Sequence, residues 1–288
     1  MQEMYLDDYH LHSLTTDLPT RVRQPLEGIE SASIRLDSYN RPGEHGTTIA
    51  NALYGEQTVA LEGSLHGRGA TEAEAQADYR RQRQLLRQAV SIKGDANGTV
   101  LPRVLALTDL TGTTWRLNVV TRRFILPETL PTYSTWMLEL AAVGFIESST
   151  QRSLTLTLPK SGGVTIPARF PLVFGASSGG SVTATNAGTA ETYPTITLQG
   201  PLINPALTNE TMGESLALTL TLGSSDTVVI DMARRTILQG GTTNRMGAKT
   251  AGSTFWSLTP GDNTLRFRAD AYDTGTATVA YRSAYLGL

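Results

Sequence analysis

Residues 227–241, TVVIDMARRTILQGG, with 253–270, STFWSLTPGDNTLRFRAD, and 276–282, TATVAYR, are the stretch whose reading decides the fold. Val228 and Ile230 alternate with Val229 and Asp231 across a short strand, and Gly240-Gly241 supply the positive-φ positions that a tight reversal needs. Thr254 to Leu258 is aromatic and apolar, and Pro260-Gly261-Asp262-Asn263 has the composition of a turn. From Thr264 to Asp270, Leu265, Phe267 and Ala269 alternate with Arg266, Arg268 and Asp270. A period of two means one dry and one wet face, so the stretch predicts an antiparallel β-meander.

Working back from the meander, no helical period appears after Glu147. Arg152 to Leu158, Val164 to Phe174, Val182 to Thr185, Thr195 to Gln199 and Ser215 to Leu222 are further short strands. Together they predict eight or more strands at the spacing of a β-sandwich. The polar run Ser148 to Gln151 is the expected boundary, which divides the chain into domains 1–147 and 148–288. A chain of 288 residues is long enough for each half to bury a core of its own.

The first half predicts strands around one helix. Val59, Leu61 and Leu65 alternate along a strand weakened at Gly63. Thr71 and Glu74 form a capping box that opens a helix over 71–90, ending near Gly94, with Tyr79, Leu86 and Val90 on one face. Val100 to Thr108, Thr114 to Thr121 and Tyr133 to Ile146 are expected strands, the last two joined across Pro127 and Pro131. Between Tyr39 and Gly55 the sequence NRPGEHGTTIANALYG reads as a loop. At that length it is a candidate partner-contacting arm rather than a connector.

The order aromatic-x-Leu-x-Pro-Gly-Asp-Asn-x-Leu-x-Phe, carried by Trp256, Leu258, Pro260, Gly261, Asn263, Leu265 and Phe267, resembles the C-terminal domain of distal tail (Dit) proteins, the siphovirus-type phage tail component family. The first half resembles that family's N-terminal domain more loosely. The resemblance implies a mainly β chain: a tail-tube-like β-barrel with one α-helix, then a galectin-like β-sandwich, whose last strand is free to return to the first domain. It implies a structural role, an adaptor ring that is usually a homo-hexamer and joins the tail tube to the tail tip or baseplate hub. The implied partners are the tail tube protein, the hub protein and a receptor-binding protein. DNA only passes through the lumen, the location is the virion tail tip after assembly in the host cytoplasm, and no membrane, cofactor or enzymatic activity is involved. Within that reading Arg41, Pro42, Gly43, Glu44, His45, Gly46, Ile49, Leu53 and Tyr54 are the candidate interface between subunits, and the seven motif residues are structural.

With 24 Lys and Arg against 26 Asp and Glu, no basic surface calls for nucleic acid. The absence of cysteine removes disulfides and thiolate chemistry. No apolar run approaches the roughly 20 residues that span a bilayer, and Glu3, Asp7 and Asp8 sit where a secretion signal would be basic and then apolar, so the chain is expected to start in the cytosol. His10 and His12, two apart on a strand and near Asp7 and Asp8, read either as metal ligands or as a polar strand face. The second is preferred, because His45 and His66 have no matching ligands.

Gly67-Arg68-Gly69 before the helix suggests a dinucleotide loop, but Glu72 and Glu74 would repel a pyrophosphate. Gly175-Ala176-Ser177-Ser178-Gly179 has the hydrolase G-x-S-x-G pattern without a following helix or any later histidine. Glu191, Glu210, Glu214, Asp226, Asp231, Asp262, Asp270 and Asp273 are spread over turns and strand edges. The rival function is a carbohydrate-binding adhesin, with Trp256, Tyr272 and Tyr281 as stacking candidates.

Overall fold

A computed structural model describes residues 1–288 except 24–25, 27, 31–32, 96–97, 129, 160–179 and 271–273. The chain forms two compact units, Met1–Ser149 with Tyr285–Leu288, and Thr150–Ala284. The expected strand at Val164 to Phe174, the G-x-S-x-G run, Tyr272 and Asp273 lie outside the described residues.

The first unit contains β1 (Glu3–Leu6), β2 (Tyr9–Ser13), β3 (Thr20–Val22), β4 (Ile34–Asn40), β5 (Thr47–Tyr54), β6 (Thr58–His66), α1 (Glu72–Val90), β7 (Lys93–Gly94), β8 (Val100–Leu101), β9 (Arg103–Thr108), β10 (Thr114–Ile125), β11 (Tyr133–Ala142) and β12 (Ile146–Ser148). Its main sheet runs β2-β1-β9-β10-β11-β6-β3, with every pair antiparallel. Val59, Leu61 and Leu65 of β6, Leu105 and Leu107 of β9, and Trp136, Leu138 and Leu140 of β11 are buried in one core. Alternate residues of these strands are partly exposed, so the predicted period of two is present.

Several expected elements are cut shorter by local chemistry. Pro102 divides the strand expected over 100–108, and Gly144 (φ 90°) ends β11 before Ile146. The helix stops at Val90 rather than near Gly94, where Ser91 turns to an extended conformation (φ −63°, ψ 152°) and the end is capped by a side chain. The Arg103 guanidinium donates to Ser91 O at 2.7 Å and to Gln88 O at 3.3 Å. Asp7 holds that guanidinium at 2.7 Å and Lys93 at 2.5 Å.

Gly63 turns out to make room rather than merely weaken its strand. It lies opposite Trp136, and a Cβ there would collide with the indole ring and with the Arg21 carbonyl. The expected barrel is not closed: no ladder joins β2 to β3 among the described residues.

The second unit is a two-sheet sandwich. It contains β13 (Arg152–Thr157), β14 (Ser181–Asn186), β15 (Thr195–Gln199), β16 (Leu202–Ile203), β17 (Ala206–Asn209), β18 (Glu214–Ala217), β19 (Thr221–Leu222), β20 (Thr227–Asp231), β21 (Thr236–Gln239), β22 (Thr243–Asn244), β23 (Gly261–Arg268) and β24 (Thr276–Tyr281). One sheet is β13-β24-β15-β20-β21-β22 and the other β14-β23-β17-β18, with β16 and β19 as a separate pair. Ile196, Leu198, Val228, Ile230 and Val279 from the first sheet bury against Leu207, Leu216, Leu265 and Phe267 from the second.

The meander differs from its sequence reading in two places. Residues 253–257 form no strand, although Trp256 (1% exposed) and Leu258 are in the core. Gly261-Asp262-Asn263, expected in a turn, already pairs with β14 as the start of β23. Gly240 and Gly241 do turn the chain from β21 to β22, with φ of 59° and 79°.

Candidate functional site: the exposed hairpin

The stretch predicted to be a loop arm is an antiparallel β-hairpin. β4 and β5 pair from Ile34↔Tyr54 at the base to Asn40↔Thr47 at the tip, with a register shift between Asp37 and Ser38. Gly43 (φ 77°) and Gly46 (φ 103°) allow the turn, and Arg41 N–H donates to Gly46 O at 3.3 Å. The loop reading failed because turn residues fill only 41–46. The flanking Thr, Ile, Ala and Asn residues of β5 pair with β4, most of which lies just before the stretch read as a loop.

Arg41, Pro42, Gly43, Glu44, His45 and Gly46 therefore form the tip, while Ile49, Leu53 and Tyr54 belong to β5, and all nine are exposed. Three residues of β4 were missed: Ile34, Leu36 and Tyr39 are exposed by 67%, 53% and 57%. The alternation of Ile34 and Leu36 with Arg35 and Asp37 is the signal of a half-buried strand, so their exposure is legible only in the folded structure.

Paired residues share a face. Ile34/Tyr54, Leu36/Ala52 and Ser38/Ile49 thus make an apolar row on one side, opposite Arg35/Leu53, Asp37/Asn51 and Tyr39/Thr48. β4 and β5 pair with no third strand among the described residues. The base is held by Gly55 N–H donating to Ser33 O at 2.7 Å, by an Arg122–Glu56 ion pair at 3.1 Å, and by Tyr54 edge-on to Phe145.

The other candidates take structural places. A bulge in the β1–β2 ladder pairs His12 with Met4 and His10 with Tyr5, so the two imidazoles lie on opposite faces. That overturns the geometry on which a metal pair would depend. His10 contacts Glu3 at 2.5 Å and stacks on Tyr5. Gly67 and Gly69 have no room for a Cβ against Ala75, Glu74 and Tyr79 of the helix, which is packing rather than phosphate binding. Asp226 and Asp231 accept local backbone bonds, Asp262 accepts from Thr185 Oγ1 across the strand pair at 2.6 Å, Asp270 accepts from Asn204, Glu191 accepts from Ser257 Oγ at 2.6 Å, and Glu210 pairs with Arg266 at 2.9 Å.

In the motif, Asn263 is the residue with the most work. Fully buried, it accepts from Thr259 N–H at 3.0 Å and donates to Thr259 O at 2.8 Å and Gly261 O at 3.1 Å. Leu258, Leu265 and Phe267 are fully buried, while Pro260 and Gly261 are exposed. Trp256 and Tyr281 are buried, so neither presents a ring face to a sugar.

Residues 187–285 match the family model described as the siphovirus-type tail component, C-terminal domain. No protein of curated function matches the sequence. Over 98% of both chains the fold resembles the crystal structure of SPP1 Dit (gp 19.1), described as a paradigm of the hub adsorption apparatus of phages infecting Gram-positive hosts, at TM-score 0.63 and 14% identity. Chains of the phage p2 baseplate in its activated conformation align over 97% of this chain and 98% of theirs, with TM-scores of 0.51 (Ca) and 0.52 (Sr) and 8% identity.

The fold is that of the phage tail and baseplate structures it matches, and the family match is to a phage tail component domain. More particularly, residues 187–285 are similar to the siphovirus-type tail component domain, and the fold over the whole chain resembles that of a distal tail protein.

Proposed function

We propose that this chain forms an adaptor ring at the distal end of the tail, joining the tail tube to the tip hub, with hairpin β4–β5 as the arm between neighbouring copies. The observation that carries the reading is the apolar row Ile34, Leu36, Ile49 and Tyr54, held on a two-stranded element. An isolated hairpin is marginal in water, and unpaired strand edges invite another chain. A neighbouring copy that covers the row stabilises the arm and protects its edges, and a head-to-tail contact of this kind closes into a ring. A homo-hexamer is the expected stoichiometry. The tube protein, the hub protein and a receptor-binding protein are the expected neighbours.

A net charge of −2 suits a conduit through which DNA slides without adhering. In this reading the protein is a scaffold without catalysis, assembled in the host cytoplasm and carried at the virion tail tip.

Native mass spectrometry and negative-stain imaging of the full chain test the proposal. The wild type is expected to give six-membered rings. The double variant Ile34→Lys/Leu36→Lys is expected to remain folded, with a melting temperature within about 2 °C, yet to run as a monomer, because these side chains are largely solvated in the subunit. A wild type that stays monomeric at high concentration, or a double variant that still forms rings, overturns it.

A further inference from the structure

The sheet of the first unit ends at β2 and β3, and side chains join these ends where no ladder does. Thr20 Oγ1 donates to His10 O at 3.3 Å, and Val22 N–H donates to Nδ1 of His12 at 3.3 Å. On its other side β3 pairs with β6, where Arg23 N–H donates to Glu62 O at 2.7 Å. By the antiparallel alternation, Val22 N–H then points away from β6, towards the sheet end. His12 thus occupies an edge donor that another strand would otherwise take.

The ring is 5% exposed, and its Nε2 has no partner among the described residues. Accepting at Nδ1 requires the neutral imidazole with its proton on Nε2. We propose that His12 is a proton-operated latch: while the ring is neutral the β2 and β3 ends stay joined, and one proton taken from solvent at Nδ1 releases Val22 and opens this edge of the sheet.

The charged and titratable groups that act on the ring through their electric field are the Met1 amino group and Glu3 from the β1 side, His10 on the other face of β2, and Arg21 on β3. Burial is the largest influence and disfavours the charged ring. The Met1 amino group, Arg21 and His10 act in the same direction and Glu3 opposes them, so the proton affinity of His12 lies below the ordinary histidine value. A ring freed by opening regains that ordinary affinity. Protons therefore bind the open form better, and the opening equilibrium shifts by up to tenfold per pH unit between the two values. This device is independent of whether the chain assembles into a ring.

Hydrogen exchange followed by mass spectrometry on the full chain reads the latch directly. After correction for intrinsic exchange, over a scan from pH 7.5 to 5 the peptide covering 9–22 is expected to keep its protection above the ordinary histidine value and to lose it by up to about tenfold per unit below that value, while a peptide from 133–142 does not. In His12→Gln, whose amide oxygen still accepts but does not titrate, protection of 9–22 is expected to be independent of pH. Constant protection in the wild type, or the same loss in His12→Gln, overturns the proposal. If that variant does not fold, imidazole NMR of the wild type decides. His12 titrating below the ordinary histidine value together with the Val22 amide supports the latch, and a Val22 amide that does not follow the ring refutes it.

Discussion

At the residue scale, the positions that hold this protein together are polar side chains and glycines placed inside it. The Asn263 amide, fully buried, satisfies Thr259 N–H, Thr259 O and Gly261 O. Replacing it with alanine leaves partly buried backbone groups without this partner, at about 1 kcal/mol each. Asn263→Ala is therefore expected to lose about 3 kcal/mol in urea unfolding of the second unit, against less than about 1 kcal/mol for the exposed neighbour Asp262→Ala.

In the first unit Gly63→Ala is expected to cost about 2–3 kcal/mol, since its methyl meets the Trp136 ring and the Arg21 carbonyl. Asp7 gives a pH-dependent test. Burial pushes its carboxyl up, but Lys93, Val104 N–H and Arg103 together hold it below the usual carboxylate range. A depressed folded value means that the stabilisation is complete above the ordinary aspartate value and is lost as pH falls through the folded one. Asp7→Asn is expected to remove about 1–3 kcal/mol at pH 7 and to flatten the acid limb of the first unit's stability curve.

At the scale of elements, the helix and the hairpin behave oppositely. α1 is specified locally: Thr71 Oγ1 accepts from Glu74 N–H at 3.3 Å, Glu74 Oε2 accepts from Thr71 N–H at 3.2 Å, and Tyr79, Leu86 and Val90 fall on its buried face. Thr71→Ala is expected to cost about 1 kcal/mol by thermal unfolding, with the fold unchanged. The hairpin buries little of its own surface, so the substitutions that matter there are expected to change assembly and leave subunit stability nearly constant.

At the scale of the whole molecule, two cores separate at Ser149/Thr150, and the chain end returns to the first unit. There Tyr285 packs edge-on against Trp115 at 4.9 Å and Leu288 N–H donates to Ile29 O at 3.3 Å. A fragment of residues 150–284 is expected to unfold cooperatively on its own by circular dichroism. Deleting 285–288 from the full chain is expected to lower the first unit's transition by several degrees and to leave the second unchanged. Equal loss in both transitions refutes this division.

Alternation at Leu265/Phe267, the glycine turn at 240–241 and the capping box at Thr71 are local rules, and each is legible in the sequence because the physics that acts there spans only a few residues. They determined a mainly β chain with one helix, and they carried the family motif. What tertiary structure alone decided depends on residues far apart. The bulge that separates His10 from His12 arises from pairing with β1, and Gly63 has its role because Trp136 lies across from it. The exposure of Ile34, Leu36 and Ile49 reflects what is missing on the other side of a hairpin. An alternating strand has the same sequence whether its apolar face meets a core or water, and only packing distinguishes the two.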